Sequence, residues 1–137
     1  MTGVLLNQFG AVLTYAIELE SKNIEYYNNE KLRLNFPNLV NEFESRIRST
    51  QRRIKNLERS RRENITEITL EPIEGLKSEN YHIDQVKFNL EEIKANHQSL
   101  YQFYDESGPK INVLETKRLF LKCCSDHKNI LEQRLGS

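Results

Sequence analysis

The sequence predicts an all-α protein, an antiparallel four-helix bundle of two helical hairpins joined by a long crossover. Three observations predict it. Apolar residues recur in steps of three and four along four long segments, the period of a helix with one buried face. Breaks at Asn35-Phe36-Pro37 and Ser107-Gly108-Pro109 flank one long aperiodic stretch, so the connections run short, long, short. Strand-like alternation is poor, and residues 66–70 are the one ambiguous stretch.

The first helix is expected over residues 4–34, with Leu6, Phe9, Leu13, Ala16, Glu20, Ile24 and Tyr27 on its stripe. Pro37 suits a first helical turn, where its missing N–H costs nothing. It opens a second helix carrying Val40, Phe43, Ile47, Thr50, Ile54 and Leu57, with a weak continuation to residue 68 before Pro72 and Gly75. The third helix starts near Asp84 as N-cap and shows Val86, Leu90, Ile93, His97, Tyr101 and Tyr104. Gly108, read as a left-handed cap, and Pro109 stop it. The fourth helix starts near Asn112, with Val113, Phe120, Cys124, His127 and Leu131 inward. The chain is thus one domain over residues 1–137, with a hairpin at 4–70, a crossover at 71–82 and a second hairpin at 83–135. Laying the first hairpin on the second puts Leu13 on Leu90, Phe43 on Phe120, Glu20 on His97 and Thr50 on His127, a shared apolar register that suggests a repeat.

Composition narrows the function classes. At 137 residues the chain holds one sizeable core and not two. Charged residues are 29% and the hydrophobic set only 37%, which suits long helices with a single buried face. Formal net charge is zero, so nothing global points to nucleic acid. No apolar run approaches a membrane span, and residues 1–9 lack the basic start and cleavage site of a signal peptide, so a cytoplasmic protein is expected. The two cysteines, Cys123 and Cys124, are adjacent and form no stapling framework, which argues for reduced thiols.

Each stripe carries one polar residue near its middle: Glu20, Thr50, His97 and His127. Glu20 lies roughly fourteen residues before the first hairpin turn and Thr50 about as far after it, so at ~1.5 Å per residue they sit level. The two histidines agree to about one turn. An ionised Glu in the interior needs a proton, a cation or donors. Two readings follow. One is a Glu–His–His–Thr hydrogen-bond network with Tyr27 and Tyr104 adding hydroxyls, in which Glu20→Gln leaves stability unchanged or raises it. The other is a single transition metal, Fe, Zn or Mn, held by Glu20, His97 and His127 with water at an open position. Glu79-Asn80-Tyr81-His82 has Glu-x-x-His spacing, but lies in the crossover, where a loop or capping role is expected.

The string Ala16-Ile17-Glu18-Leu19-Glu20 followed by Tyr26-Tyr27 resembles the first helix of rubrerythrin-related, ferritin-like proteins, in which a ligand Glu precedes a Tyr by seven residues. The hairpin–crossover–hairpin plan is similar over nearly the whole chain. The resemblance implies a di-iron site with a Glu on helices one and three and Glu-x-x-His on helices two and four. Of these ligands only Glu20 is matched. The helix-three Glu falls on His97, the helix-two pair on Thr50 and Arg53, and the helix-four pair on His127 and Ile130. The resemblance therefore implies the fold and argues against the family's two-iron chemistry.

The second helix is rich in arginine, with Arg46, Arg48, Arg52, Arg53, Arg59, Arg61 and Arg62 beside Lys55. This can be a polyanion, nucleic-acid or partner face centred on Arg46, Arg48, Arg52, Arg59 and Arg62. It can equally be a solvated face pairing with Glu18, Glu25, Glu30, Glu91 and Glu92. No aromatic residue is interleaved for base stacking, and nucleic acid is not expected. Phosphate loops, Cys-x-x-Cys pairs and nucleophile elbows are missing from the sequence. The expectation is a binding or structural protein on a ferritin-like bundle that has lost its di-iron centre. It holds no cofactor and self-associates, most simply as a dimer. The alternatives are a mononuclear metal-dependent oxidoreductase or hydrolase and a polyanion binder.

Overall fold

The computed structural model describes residues 9–63 and 76–133, and within them every regular element is helical. Five α-helices follow in order: α1 (Phe9–Asn28), α2 (Glu30–Asn35), α3 (Val40–Glu63), α4 (Leu90–Ser107) and α5 (Leu114–Glu132). Single 3-10 turns at Pro37–Leu39, Ser78–Asn80 and Gly108–Lys110 introduce or close them. The long helices pack most extensively as α1 on α3 and α4 on α5, and α1–α4 and α3–α5 contacts close the bundle. The ambiguous stretch 66–70, the weak continuation of the second helix and the starting residues Val4 and Leu6 lie outside the described residues.

The expected first helix is broken at Asn29. Asn29 takes extended geometry, and its side chain accepts from the Lys31 N–H at 2.9 Å, capping α2. Arg33 Nε donates to the Tyr27 carbonyl at 3.1 Å and so satisfies an acceptor freed at the end of α1. Leu32 is thereby turned into the core, which a straight continuation does not require. Pro37 opens the 3-10 turn that feeds α3.

The third helix begins later than the sequence suggests. Asn89 is its N-cap, accepting from Glu92 N at 2.8 Å, while Asp84 caps a turn upstream through Val86 N at 2.7 Å. Val86 is therefore off the stripe and 80% exposed. Residues 81–89 instead cross the bundle as an extended segment, pinned by Tyr26 OH on the Lys87 carbonyl (2.7 Å) and Asn96 Oδ1 on Asp84 N (2.9 Å). Gly108 has right-handed geometry, φ −52°, rather than a left-handed cap. It is buried, and α4 ends because Gly108-Pro109 tightens into a 3-10 turn.

The inner faces are turned slightly from the predicted stripes. On α5 they are Thr116, Phe120, Cys123 and His127, so Cys123 is buried and Cys124 only half-buried, the reverse of the expectation. Leu100 and Phe103 displace Tyr101 on α4, and Arg53 displaces Ile54 on α3. Apolar packing forms two clusters. Phe9, Leu13, Leu19, Leu57, Leu100 and Phe120 anchor one; Tyr26, Tyr27, Leu32, Phe43, Ile47 and Ile93 anchor the other. Burial of each large side chain is worth about 1.5–3 kcal/mol. Glu20, Thr50, Arg53 and His97 fall between them along their helices, forming a polar waist.

Candidate functional site

Glu20, Thr50, His97 and His127 are all buried, and the structure brings them together. Glu20 Oε2 accepts from three groups on three other helices. They are Tyr104 OH at 2.7 Å, His127 Nε2 at 2.9 Å and Arg53 Nε at 3.2 Å. Across the His127 ring, Nδ1 faces Nδ1 of His97 at 2.9 Å. Nε2 of His97 then meets Tyr27 OH at 2.6 Å, and Arg46 Nη1 donates to that same hydroxyl at 2.9 Å. Arg53 Nη2 donates to Thr50 Oγ1 at 2.8 Å, and Thr50 in turn donates to the Arg46 carbonyl at 2.8 Å. The circuit runs through all four long helices and closes on itself.

Proton positions follow from this order. Arg46 can only donate, so the Tyr27 hydrogen is free to go to His97 Nε2. His97 then carries its own hydrogen on Nδ1 and gives it to His127 Nδ1. His127, accepting there, holds its hydrogen on Nε2 and donates to the Glu20 carboxylate. With one hydrogen in each gap both imidazoles are neutral; a second proton on His127 reverses the chain, with His127 Nδ1 donating to His97 and His97 Nε2 donating to Tyr27 OH.

In both arrangements Glu20 is ionised and His97 neutral, and the electrostatics agree on those two groups. Burial pushes the Glu20 carboxyl up, but the charge of His127 and Arg53 and the hydrogen bonds from His127 and Tyr104 outweigh it and hold it at about 2. Burial drives His97 well below the usual imidazole value, and the positive potential of His127, Arg46 and Arg53 adds to it. Burial, reinforced by the Glu20 charge, drives the Tyr104 hydroxyl well up. Burial opposes the charge on Arg53, but Glu20 more than restores it. Burial likewise raises the Cys123 thiol, which makes it a poor nucleophile or ligand.

Metal coordination would have to use the same atoms. The two nitrogens of an imidazole point away from each other, and His127 spends one on Glu20 and the other on His97. Glu20 and His97 thus lie on opposite edges of one ring, in line rather than around a common point. Among the described residues no group of three or more His, Cys, Asp or Glu side chains is disposed to hold a metal ion, and Glu20 is the only fully buried carboxylate. A di-iron centre needs several bridging carboxylates, so these residues do not fit one. Arg53 puts a guanidinium against Glu20 instead. Glu20 Oε1 and both amide atoms of Asn23 are buried without a hydrogen-bond partner among the described residues.

Two members of the circuit escape a reading by hydrophobic pattern. Arg46 and Arg53 belong by composition to the solvated basic run, yet they are 9% and 6% exposed. The available signal is their spacing of four before and three after Thr50, which places all three on one helix face. Arg48, Arg52, Arg59 and Arg62 do point outward. Among the described residues none of them ion-pairs with an acid; the expected partners Glu18, Glu25, Glu30, Glu91 and Glu92 are not used. Glu79 and His82 are both exposed in the connection. Between α3 and α5 lies an open groove of about 800 Å³, walled by Arg46, Ser49, Arg52 and Arg53 on one side and Lys122 and Asp126 on the other.

In comparisons with known proteins, the chain matches no family model, no curated protein and no solved structure. No described helix is long and apolar enough to cross a membrane.

Proposed function

We propose that the chain is a non-enzymatic binding protein on a ferritin-like, antiparallel four-helix bundle, with a guanidinium–carboxylate pair and an imidazole relay where that family holds iron. The direction of the helices is supported by the two apolar clusters. Going along the chain, α1 passes from the first cluster to the second, α3 and α4 pass from the second to the first, and α5 leaves the first. The metal-free reading is carried by one observation: all four ring nitrogens of His97 and His127 already face a protein hydrogen-bond partner. A hydrogen-bonded polar layer that spans all four long helices, with Glu20 Oε1 its one unpartnered atom among the described residues, fixes the rotation of the helices without chemistry of its own.

Self-association as a dimer is part of the proposal. Leu114 and Leu121, seven residues apart on the outer side of α5, are 59% and 55% exposed and are the two apolar side chains that helix offers a second copy. The free thiols of Cys123 and Cys124 suit a reducing, cytoplasmic setting.

The rival is a mononuclear metalloenzyme using Glu20, His97 and His127. Elemental analysis of protein purified without chelators, beside a His97→Ala/His127→Ala variant, separates the two. No transition metal above background is expected in either. About one metal per chain, lost in the variant, would overturn the metal-free reading and establish the rival. Sedimentation of the same sample is expected to give a dimer that a Leu114→Lys/Leu121→Lys variant reduces to monomer; a monomeric parent protein sinks that part of the proposal.

A further inference from the structure

We propose that the groove between α3 and α5 is a binding site for a small phosphate-bearing anion, with Arg46 as its principal anchor. One buried guanidinium meets no counter-charge among the described residues. Arg53 meets two carboxylates, Glu20 at 3.2 Å and Asp126 at 3.5 Å. Arg46, seven residues earlier on the same wall and nearly as buried, meets none among the described residues. Its guanidinium donates to two neutral oxygens, Tyr27 OH at 2.9 Å and Gln133 Oε1 at 3.3 Å. A guanidinium taken out of water without a counter-ion is costly, and this one faces a groove of about 800 Å³, within the size range of small-molecule sites.

The lining specifies the chemistry. Arg46, Ser49 and Arg52 follow one another at helical spacing on the α3 wall, and Arg52 Nη2 is already turned onto Ser49 Oγ at 3.1 Å. Lys122 stands on the α5 wall, and its one ion pair among the described residues is with Asp126 at 3.6 Å. Two guanidinium forks, an ammonium and a hydroxyl offer more donors than one carboxylate accepts. They match the several oxygens of a phosphate or diphosphate.

Size follows from the acids. Glu42 and Asp126 also border the groove, so an extended polyanion lying along it would pass two like charges. The lining contains no aromatic side chain on which a base could stack. A compact anion seated against Arg46, Ser49 and Arg52 lies between the two acids, with Glu42 one turn before Arg46 and Asp126 across from Arg53, and needs no stacking platform. This inference supplies the ligand class for the binding role proposed above and rests on it. Anion affinity and metal content are separate readouts, so a protein that proves to hold metal can still bind the anion, and the reverse.

The test is isothermal titration of the full chain with inorganic pyrophosphate at low ionic strength. Saturable binding at one site per chain is expected. Arg46→Gln should weaken it roughly tenfold or more, as loss of one charge-assisted bidentate anchor does. Arg52→Gln alters an exposed side chain that does not support the fold, and should weaken binding several-fold even if Arg46→Gln unfolds the protein. Arg62→Gln, on the same helix but outside the groove, should leave it unchanged. Absence of saturable binding to the parent protein would overturn the inference. So would equal weakening by Arg62→Gln, or tighter binding of a short oligodeoxythymidine than of pyrophosphate; either outcome would assign α3 a general polyanion surface instead.

Discussion

Arg53→Met is expected to destabilise the bundle by about 3–5 kcal/mol, the cost of stranding a buried carboxylate. Glu20 is fully buried, and among the described residues Arg53 is its only permanent cation. Without the guanidinium, Glu20 must either stay charged against a hydroxyl and an imidazole or take up a proton. Either route costs stability at neutral pH. The double variant Glu20→Met/Arg53→Met removes both charges and should recover most of the loss, because a matched apolar pair avoids the desolvation of both ions. Glu20→Gln falls between. The sequence alone suggests that this change is neutral or stabilising, but the structure places Arg53 opposite it. The amide oxygen still accepts, yet the guanidinium is left with Asp126 alone at 3.5 Å. Chemical denaturation of the four proteins at pH 7 measures the cycle. An Arg53→Met loss below about 1 kcal/mol would mean that the pair is solvated and the buried circuit is not formed.

Stability is expected to fall on the acid side in two stages. His97 is held well below its ordinary value of 6.5, so the folded protein keeps it neutral while the unfolded chain takes up a proton there. Its contribution is full above about pH 6.5 and declines as pH falls below that, until the folded imidazole itself titrates. Glu20 is lowered from 4.5 to about 2, so its contribution is full above about 4.5 and disappears as pH drops toward 2. A depression of that size corresponds to about 3 kcal/mol. Urea midpoints between pH 8 and pH 2 should therefore fall first from His97 and then, more steeply, from Glu20. His97→Gln should flatten the upper stage and leave the lower one. If the variant and the parent show the same slope between pH 7 and pH 5, the buried imidazole is not the origin of the acid sensitivity.

How much of this was legible in the chain can be judged residue by residue. Helix positions are largely local matters. The three-and-four spacing of Phe43, Ile47 and Leu57, or of Ile93, His97 and Tyr104, marks a buried face whatever it packs against. Pro37, Asn35 and Gly108-Pro109 punctuate the helices because of their own backbone chemistry. For the same reason Glu20, Thr50, His97 and His127 stood out, since each interrupts an apolar stripe in its own helix. The break at Asn29 has a local signal, Asn28-Asn29 ahead of Glu30, but the three-and-four apolar spacing runs straight across it, and the inward turn of Leu32 is what uses it.

By itself, then, the sequence determined the helical class, the approximate extent of the long helices and the four polar residues of the buried layer. Tertiary structure alone decided which way each helix is rotated, placing Cys123 rather than Cys124 and Arg53 rather than Ile54 in the interior. It also decided that the polar residues form a directed chain instead of converging on a point, and that Arg46 and Arg53 belong to it. The physical reason is that an arginine's place is not a property of its own helix. Its long stem reaches inward or outward with equal ease, and its charge is tolerated inside only where another helix delivers a carboxylate such as Glu20 or a hydroxyl such as Tyr27.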